Sequence, residues 1–264
     1  ESNKQREIIQ EKQKEILDSI NYAKRIQTSF LATENELKSH LQNYFVIYKP
    51  KDIVSGDFYW CERIENRIYV AVCDCTGHGI PGAFMSLLNI SLLNEAVHSK
   101  LLKNPDEIFN FVRKILVLGL NKNESQSGND GMDGMLFCID LHQPKTITYA
   151  AANNAPLLIK NGQIIEGKCD KMPVGKSPKD NLPFSLFSFD VDRGDILIGL
   201  TDGFVDQFGG EFGKKFKYAQ LKNLINNNSY SEMDSLKNKL DSSFDNWKGD
   251  LEQVDDVCII GIKL

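Results

Sequence analysis

Four aspartates stand where apolar, strand-like runs begin or end. Asp57 follows Ile53-Val54-Ser55-Gly56, and Asp74 follows Tyr69-Val70-Ala71-Val72-Cys73. Asp202 follows Ile196-Leu197-Ile198-Gly199-Leu200-Thr201 and precedes Gly203, while Asp255 and Asp256 lead into Val257-Cys258-Ile259-Ile260. A single Asp beside Gly is ordinarily a turn residue. Repeated at strand ends, the pattern lifts carboxylates to the rim of a sheet whose strands are locked in the core, so that they can converge. Carboxylates crowded together stay ionised only beside a compensating cation. Oxygen donors without His or Cys select Mg²⁺ or Mn²⁺ over zinc. Two such ions sharing a bridging carboxylate would activate water for attack on phosphorus.

The elements that must carry these residues read as follows. Tyr44–Lys49, Asp57–Ile64 and Arg67–Cys75 are short β-branched or aromatic segments separated by turn residues. Pro81 suits a first helical turn, and Gly82–His98 reads as a mostly apolar, buried helix, followed by another over Pro105–Leu120. Asn121–Gly131 is a polar loop. Strands resume at Met135–Leu141, Thr146–Ala151, Leu157–Lys160, Gln163–Glu166, Phe184–Phe189 and Asp195–Leu200. Helices are expected at Lys215–Asn226 and Ser231–Phe244, and a last buried strand at Val257–Ile262. This order predicts an α+β fold, a two-sheet sandwich with helices outside.

Residues 1–31 differ from the rest. They lack Gly and Pro and place Ile9, Ile16, Ile20, Ala23, Ile26 and Phe30 on one narrow stripe of a helix. Lys12, Gln13 and Ser19 interrupt the seam. The reading is a linker helix over 1–31, able to pair two chains, ahead of one domain over 32–264; a surface helix folded onto its own domain is the alternative.

Composition narrows the classes. The 264 residues include 31 Lys and Arg against 36 Asp and Glu, a net charge of −5 that argues against nucleic-acid binding through bulk positive charge. No run approaches the length of an apolar span, so no membrane contact is expected from this segment. The chain opens on Glu1 without a signal-peptide pattern and is read as part of a longer protein. Five of the six cysteines lie in or beside apolar runs, and none shows C-x-x-C spacing. Cys73-x-Cys75 places two thiols on one side of a strand; packed, reduced thiols are favoured over a redox pair.

Ser55-Gly56-Asp57-Phe58-Tyr59, Val72-Cys73-Asp74-Cys75-Thr76-Gly77-His78-Gly79-Ile80-Pro81-Gly82-Ala83, Thr201-Asp202-Gly203 and Asp255-Asp256-Val257 occur in this order. Together they resemble the SpoIIE-like branch of the PPM (type 2C) metal-dependent serine/threonine protein phosphatases, over roughly residues 44–264. The second motif, D-x-x-G-H-G-x-x-A ahead of a helix, is the specific one. The resemblance implies two Mn²⁺ or Mg²⁺ ions bridged by Asp74, one completed by the backbone carbonyl of Cys75 and by Asp57. Asp202 and Asp255 would hold the other, with Asp256 supporting them. It implies paired antiparallel sheets flanked by helices, and a bridging hydroxide that attacks phosphoserine or phosphothreonine with no phosphoenzyme. It also implies a signalling phosphoprotein as substrate, commonly an anti-sigma-factor antagonist, so that the output is a change in sigma-factor availability. A cytoplasmic, bacterial regulatory domain is expected, membrane-attached only through an upstream region. The regulatory expectation is that pairing of helix 1–31 shifts the helix after Asp74 and tunes metal affinity.

Departures from the family pattern are informative. The His that follows the D-G pair in many eukaryotic relatives is missing; His78 lies four residues past Asp74, so the acid role does not transfer. Asp133, in Gly131-Met132-Asp133-Gly134, sits where some relatives carry an extra acidic ligand, with Asp130 a lesser candidate. Asn153-Asn154-Ala155-Pro156 is either the family's amide-containing turn or a plain β-turn. No arginine is placed to clamp phosphate: Arg63 and Arg67 flank a hairpin turn, and Lys49 and Lys51 are weak candidates for orienting a phosphoprotein.

Three rival readings follow from single features. Ser55–Tyr59 is similar to the diguanylate-cyclase hairpin but comes too early and loses an acidic residue. Asp74–Gly79 is one residue from the D-x-G-x-G box of GHKL-type ATPases, which leaves Asp202 and Asp255 unexplained. A catalytically silent binding module of the same fold would not need the full aspartate set.

Overall fold

The computed structural model describes residues 2–120 and 130–264; of the polar loop expected over 121–131, residues 121–129 lie outside them. Helices α1 (Ser2–Phe30) and α2 (Glu34–His40) lead into strands β1 (Asn43–Lys49), β2 (Phe58–Ile64) and β3 (Arg67–Cys75). Helix α3 (Gly79–Asn94) runs on as a π-helical turn over Glu95–Ser99, followed by α4 (Pro105–Leu120). Then come β4 (Gly131–Asp140), β5 (Thr146–Ala152), β6 (Leu157–Lys160), β7 (Gln163–Glu166), β8 (Val174–Gly175), β9 (Phe187–Asp190) and β10 (Ile196–Leu200). A short α5 (Gly203–Asp206), a small hairpin of β11 (Phe208–Gly209) and β12 (Lys214–Lys215), α6 (Tyr218–Asn227), α7 (Met233–Lys248) and β13 (Val257–Lys263) complete the chain.

The strands form two antiparallel sheets. One runs β1-β13-β10-β6-β7; the other runs β2-β3-β4-β5-β9, with β8 added to β4. Alternation along β3 shows how they stack. Ile68, Val70 and Val72 point between the sheets, against Met135, Phe137, Leu197, Cys258 and Ile260. Tyr69, Ala71, Cys73 and Cys75 point the other way, against α3 and α4. On the far side, α6 and α7 cover the other sheet through Leu221, Ile225, Leu236, Leu240 and Phe244. Helices therefore flank a two-sheet sandwich, as the order of segments predicts.

Helix α3 is anchored by Ile90, Leu93, Ala96 and Val97, all at most 1% exposed. Burying each Ile or Leu side chain fully is worth about 1.5–3 kcal/mol, which fixes the helix that follows Asp74. The segment Gly79–Ser99 contains an 18-residue window of mean hydropathy 1.3, long and apolar enough by composition to cross a membrane. This corrects the expectation that no segment qualifies; half of its apolar window is packed inside the domain.

Several boundaries move; the helix expected over Ser231–Phe244, for instance, is Met233–Lys248. Helix α3 starts at Gly79, with His78 as its N-cap residue, because Pro81 belongs to its first turn. Strand β4 begins at Gly131 instead of Met135, because its pairing with β3 continues to Cys75↔Met132. The strand expected from Phe184 is only Phe187–Asp190, and the helix expected from Lys215 begins at Tyr218 because Lys214–Lys215 pair in the hairpin. Helix α2 was not expected, although Thr33 and Glu36 form a complete capping box.

Helix α1 divides its stripe. Ile20 and Ala23 are half-buried and Gln27 is buried where the helix meets α3, while Ile9, Ile16, Ile26 and Phe30 are exposed. All six cysteines are free; Cys73 and Cys75, on either side of Asp74, are buried, and burial pushes both thiols up.

Candidate active site

Asp57, Asp74, Asp202 and Asp255 reach the same end of the sandwich, two from each sheet. Asp57 immediately precedes β2 and Asp74 is the penultimate residue of β3; Asp202 follows β10 and Asp255 precedes β13. Antiparallel pairing of β2 with β3 sets Phe58 opposite Cys73, which brings Asp57 beside Asp74. Pairing of β3 with β4 sets Asp74 directly opposite Asp133.

Backbone packing makes this corner tight. Cβ atoms added at Gly56 or Gly82 would collide with the Gly77 carbonyl, and one at Gly82 would also strike the Gly56 Cα. Gly77 itself has φ +86°, in the left-handed region that glycine adopts without strain. The glycines of the first two motifs thus let α3 begin against the Asp57 loop.

Hydrogen bonds orient the acids. Thr201 Oγ1 donates to Asp57 Oδ2 at 2.6 Å and accepts from the Cys258 amide at 2.9 Å. Asp256, 3% exposed, accepts from the Lys51 amide at 2.7 Å and the Gly56 amide at 2.8 Å. It therefore braces the loop carrying Asp57 from behind. Asp255 Oδ1 accepts from the Asp256 amide at 2.9 Å. Asp133 accepts from Asn153 Nδ2 at 2.8 Å.

The electrostatics are those of like charges held together without a partner. Among the described residues, no Lys or Arg forms an ion pair with Asp57, Asp74, Asp202 or Asp255. Burial and then the Asp74 charge raise the Asp57 carboxyl well above the usual range. Burial, then Asp202 and Asp255, push Asp74 up to about 8, with a hydrogen bond from Asp57 offsetting part of the shift. Asp202 stands exposed at the mouth and is raised by desolvation from the walls, then by Asp255. Asp133 is raised by burial, against the Asn153 hydrogen bond and the Lys171 charge.

Such a cluster asks for cations, and its donors are all oxygen. Among the described residues no three His, Cys, Asp or Glu side chains are already gathered as a ligand set. The fit with divalent ions rests on the donor chemistry and on the missing counter-charge. A cavity of ≈ 400 Å³ opens over Asp74, Cys75, His78, Asp133 and Asp255.

Other residues singled out in the sequence have different positions. His78 Nδ1 lies 2.9 Å from Asp52 Oδ2, at the cavity edge. Lys49 is committed to Asp241 at 2.8 Å and Asp245 at 3.0 Å, so it is not free to orient a substrate. Lys51 offers its backbone to Asp256, and Arg67 pairs with Asp140 at 3.1 Å. Asp130 is the first described residue after 121–129; the next residue, Gly131, donates its amide to Thr76 Oγ1 at 3.1 Å and accepts from that hydroxyl at 3.3 Å. Asn153 has φ +59° and contacts Asp133, which makes it more than a plain turn residue. Sequence reasoning missed Thr201 as an orienting group, and Gln27. The Gln27 side chain donates to the Ser55 carbonyl at 2.5 Å and Ser86 Oγ at 2.8 Å, and accepts from the Ser55 amide at 3.1 Å.

The family profile described as Stage II sporulation protein E (SpoIIE) matches residues 64–264. Phosphoserine phosphatase RsbU of Bacillus subtilis (strain 168) is 26% identical over 200 residues, covering 72% of this chain and 54% of RsbU. The chain thus spans about half the length of the curated relative it matches. The SiaA-PP2C domain of Pseudomonas aeruginosa shares the fold with a TM-score of 0.85 at 24% identity, covering 96% of this chain and 98% of that one. The PP2C phosphatase domain with a fragment of the regulatory domain of the Bacillus subtilis cell fate determinant SpoIIE gives a TM-score of 0.67 at 18% identity, covering 84% and 63%.

Proposed function

The chain belongs to the SpoIIE family, and from that premise we propose that it is a metal-dependent phosphatase acting on phosphoserine or phosphothreonine in a protein. The observation that carries this reading is the convergence of Asp57, Asp74, Asp202 and Asp255 on one rim without a Lys or Arg ion-pair partner among the described residues, with burial and then neighbouring carboxylates raising the pKa of Asp57, Asp74 and Asp202. Asp57, Asp74 and the Cys75 carbonyl would hold one Mn²⁺ or Mg²⁺ ion; Asp74, Asp202 and Asp255 would hold the other. When bound, such ions supply the Lewis acidity that makes water a nucleophile toward phosphorus at neutral pH.

The chain's own contribution is preorganisation. Thr201 fixes the rotamer of Asp57 by donating to Oδ2, which leaves Oδ1 for ligation. Asp256 is spent on two backbone amides and acts as support for the Asp57 loop. Asp133, tied to Asn153, is the candidate for an additional ligand at the cavity wall.

The substrate we propose carries phosphoserine, in keeping with the name of the phosphoserine phosphatase RsbU. From the motif resemblance we propose further that it is a phosphorylated regulatory protein, specifically an anti-sigma-factor antagonist. We also propose that residues 1–31 pair two copies of the chain through Ile9, Ile16 and Ile26, exposed on α1. Because Gln27 joins α1 to both α3 and the Ser55 loop, a change in pairing would reach Asp57 and tune metal affinity. Deleting 1–31 should alter activity or dimerisation; unchanged values of both would overturn this part.

The function is tested by hydrolysis of p-nitrophenyl phosphate with EDTA, Mg²⁺ and Mn²⁺, for the intact chain and Asp74→Asn. Metal-dependent turnover lost in the variant is the expected result. No turnover together with no Mn²⁺ binding would make the chain a silent binding module.

A further inference from the structure

Two cavities meet at Asn153. One lies over Asp74, Asp133 and Asp255; the other, of ≈ 170 Å³, is bordered by Asn153, Asn154, Lys171, Leu200, Asp202 and Tyr218 among others. Of the described residues lining the two, Lys171 is the sole Lys or Arg.

Its position is built by the fold. The segment Cys169–Lys171 is stitched to the end of β5: the Asp170 amide donates to the Ala151 carbonyl at 2.9 Å, and the Asn153 amide donates to the Asp170 carbonyl at 2.8 Å. Asn153 then works in two directions. Its side-chain amide donates to Asp133 at 2.8 Å, and its carbonyl accepts from Lys171 Nζ at 3.1 Å. One left-handed residue therefore links the acidic rim to the cation beside it.

Charge balance gives that cation a task. Asp57, Asp74, Asp133, Asp202 and Asp255, all ionised, outweigh two divalent ions by one negative charge. A phosphoserine side chain, itself close to doubly negative at neutral pH, would meet net repulsion at such a rim. One ammonium group at the edge removes the excess. Lys171 is exposed, and among the described residues its ammonium bonds a neutral carbonyl; it can exchange that bond for one to a phosphoryl oxygen, which is stronger because it is charge-assisted.

We propose that Lys171 is the phosphoryl-binding cation of this site, engaging an oxygen of the substrate's phosphoserine and of the released phosphate. The inference rests on the phosphatase reading and supplies the phosphate ligand that no arginine near the first motif provides.

The test compares the full chain with Lys171→Met, which keeps the aliphatic stem, and Lys171→Arg, which keeps the charge. Two readouts are taken with Mn²⁺ present: calorimetric affinity for inorganic phosphate, and kcat and KM for a phosphoserine peptide. Lys171→Met should weaken phosphate binding about tenfold and raise KM by a similar factor, with kcat changing less, as expected for loss of one charge-assisted hydrogen bond. Lys171→Arg should recover most of both, and circular dichroism and Mn²⁺ affinity should match the parent in each variant. Unchanged phosphate affinity and KM in Lys171→Met would overturn the assignment while leaving the phosphatase standing. An intact chain that hydrolyses nothing with either ion would overturn the phosphatase reading, and this inference with it.

Discussion

Thr201 and Asp57 are 144 positions apart, on different sheets, and their side chains meet at 2.6 Å. This one hydrogen bond joins the two rims of the sandwich at the point where the acids converge. It sets the orientation of a buried carboxylate while the same hydroxyl satisfies the Cys258 amide. Thr201→Val keeps the shape and removes both roles. It should cost about 1–3 kcal/mol of stability, the penalty for buried polar groups left unsatisfied, and weaken Mn²⁺ affinity. Urea denaturation and calorimetry check the two effects; a variant as stable as the parent would contradict the geometry.

The acids should make the metal-free chain sensitive to pH. Asp74 is raised to about 8 and Asp57 well above the ordinary carboxylate range, so the folded chain holds protons that the unfolded chain has released. Stability must then fall as pH rises between the unfolded value, about 4, and about 8. With EDTA, the Tm should be higher at about pH 5.5 than at about pH 8.5 by a margin that shrinks in Asp74→Asn. Mn²⁺ should raise the Tm most at the higher pH, where no proton has to be displaced. Equal Tm shifts in parent and variant would refute the assignment of this pH dependence to Asp74.

Gln27 clamps α1 to the domain from a buried position. Gln27→Leu keeps the bulk but leaves the Ser55 amide and carbonyl unpaired, and should loosen both α1 and the Ser55–Asp57 loop by about 1–3 kcal/mol. Hydrogen exchange at these amides should accelerate while the core strands stay protected. Exchange unchanged from the parent would show that the clamp contributes nothing.

Gly82→Ala adds a single methyl group where backbone already touches backbone. Neighbouring Gly77 and Gly56 have no side chain to move aside, so the start of α3 must shift. A loss of about 1–3 kcal/mol or more is expected, with metal binding reduced, whereas Gly119→Ala, with open space around it, should be neutral or stabilising. Similar thermal midpoints for the two variants would contradict the close-packing account.

The strand-end aspartates were legible because each follows or precedes an apolar run whose burial dictates its direction. Their convergence was legible only through a motif order, since pairing of β3 with β4 and the stacking of the sheets are long-range facts. Asp133 illustrates the difference. Its sequence neighbourhood is glycine-rich and turn-like, yet register places it opposite Asp74 within a strand. Lys49 illustrates the converse: a free-looking cation in the sequence is absorbed by Asp241 and Asp245 from a helix nearly two hundred residues away. Thr201 and Gln27 left no local signal, because an oriented hydroxyl or amide is defined by partners that only the fold supplies. The amphipathic stripe of 1–31 was readable, but not which third of it would dock on α3.

The central claim is that Asp74 is the carboxylate on which two divalent ions depend. Calorimetric titration with Mn²⁺, of the intact chain and of Asp74→Asn, tests it most directly. The account predicts about two ions per intact chain and a loss of both high-affinity events in the variant, with the far-ultraviolet spectrum unchanged. Two ions bound equally well by Asp74→Asn would contradict it.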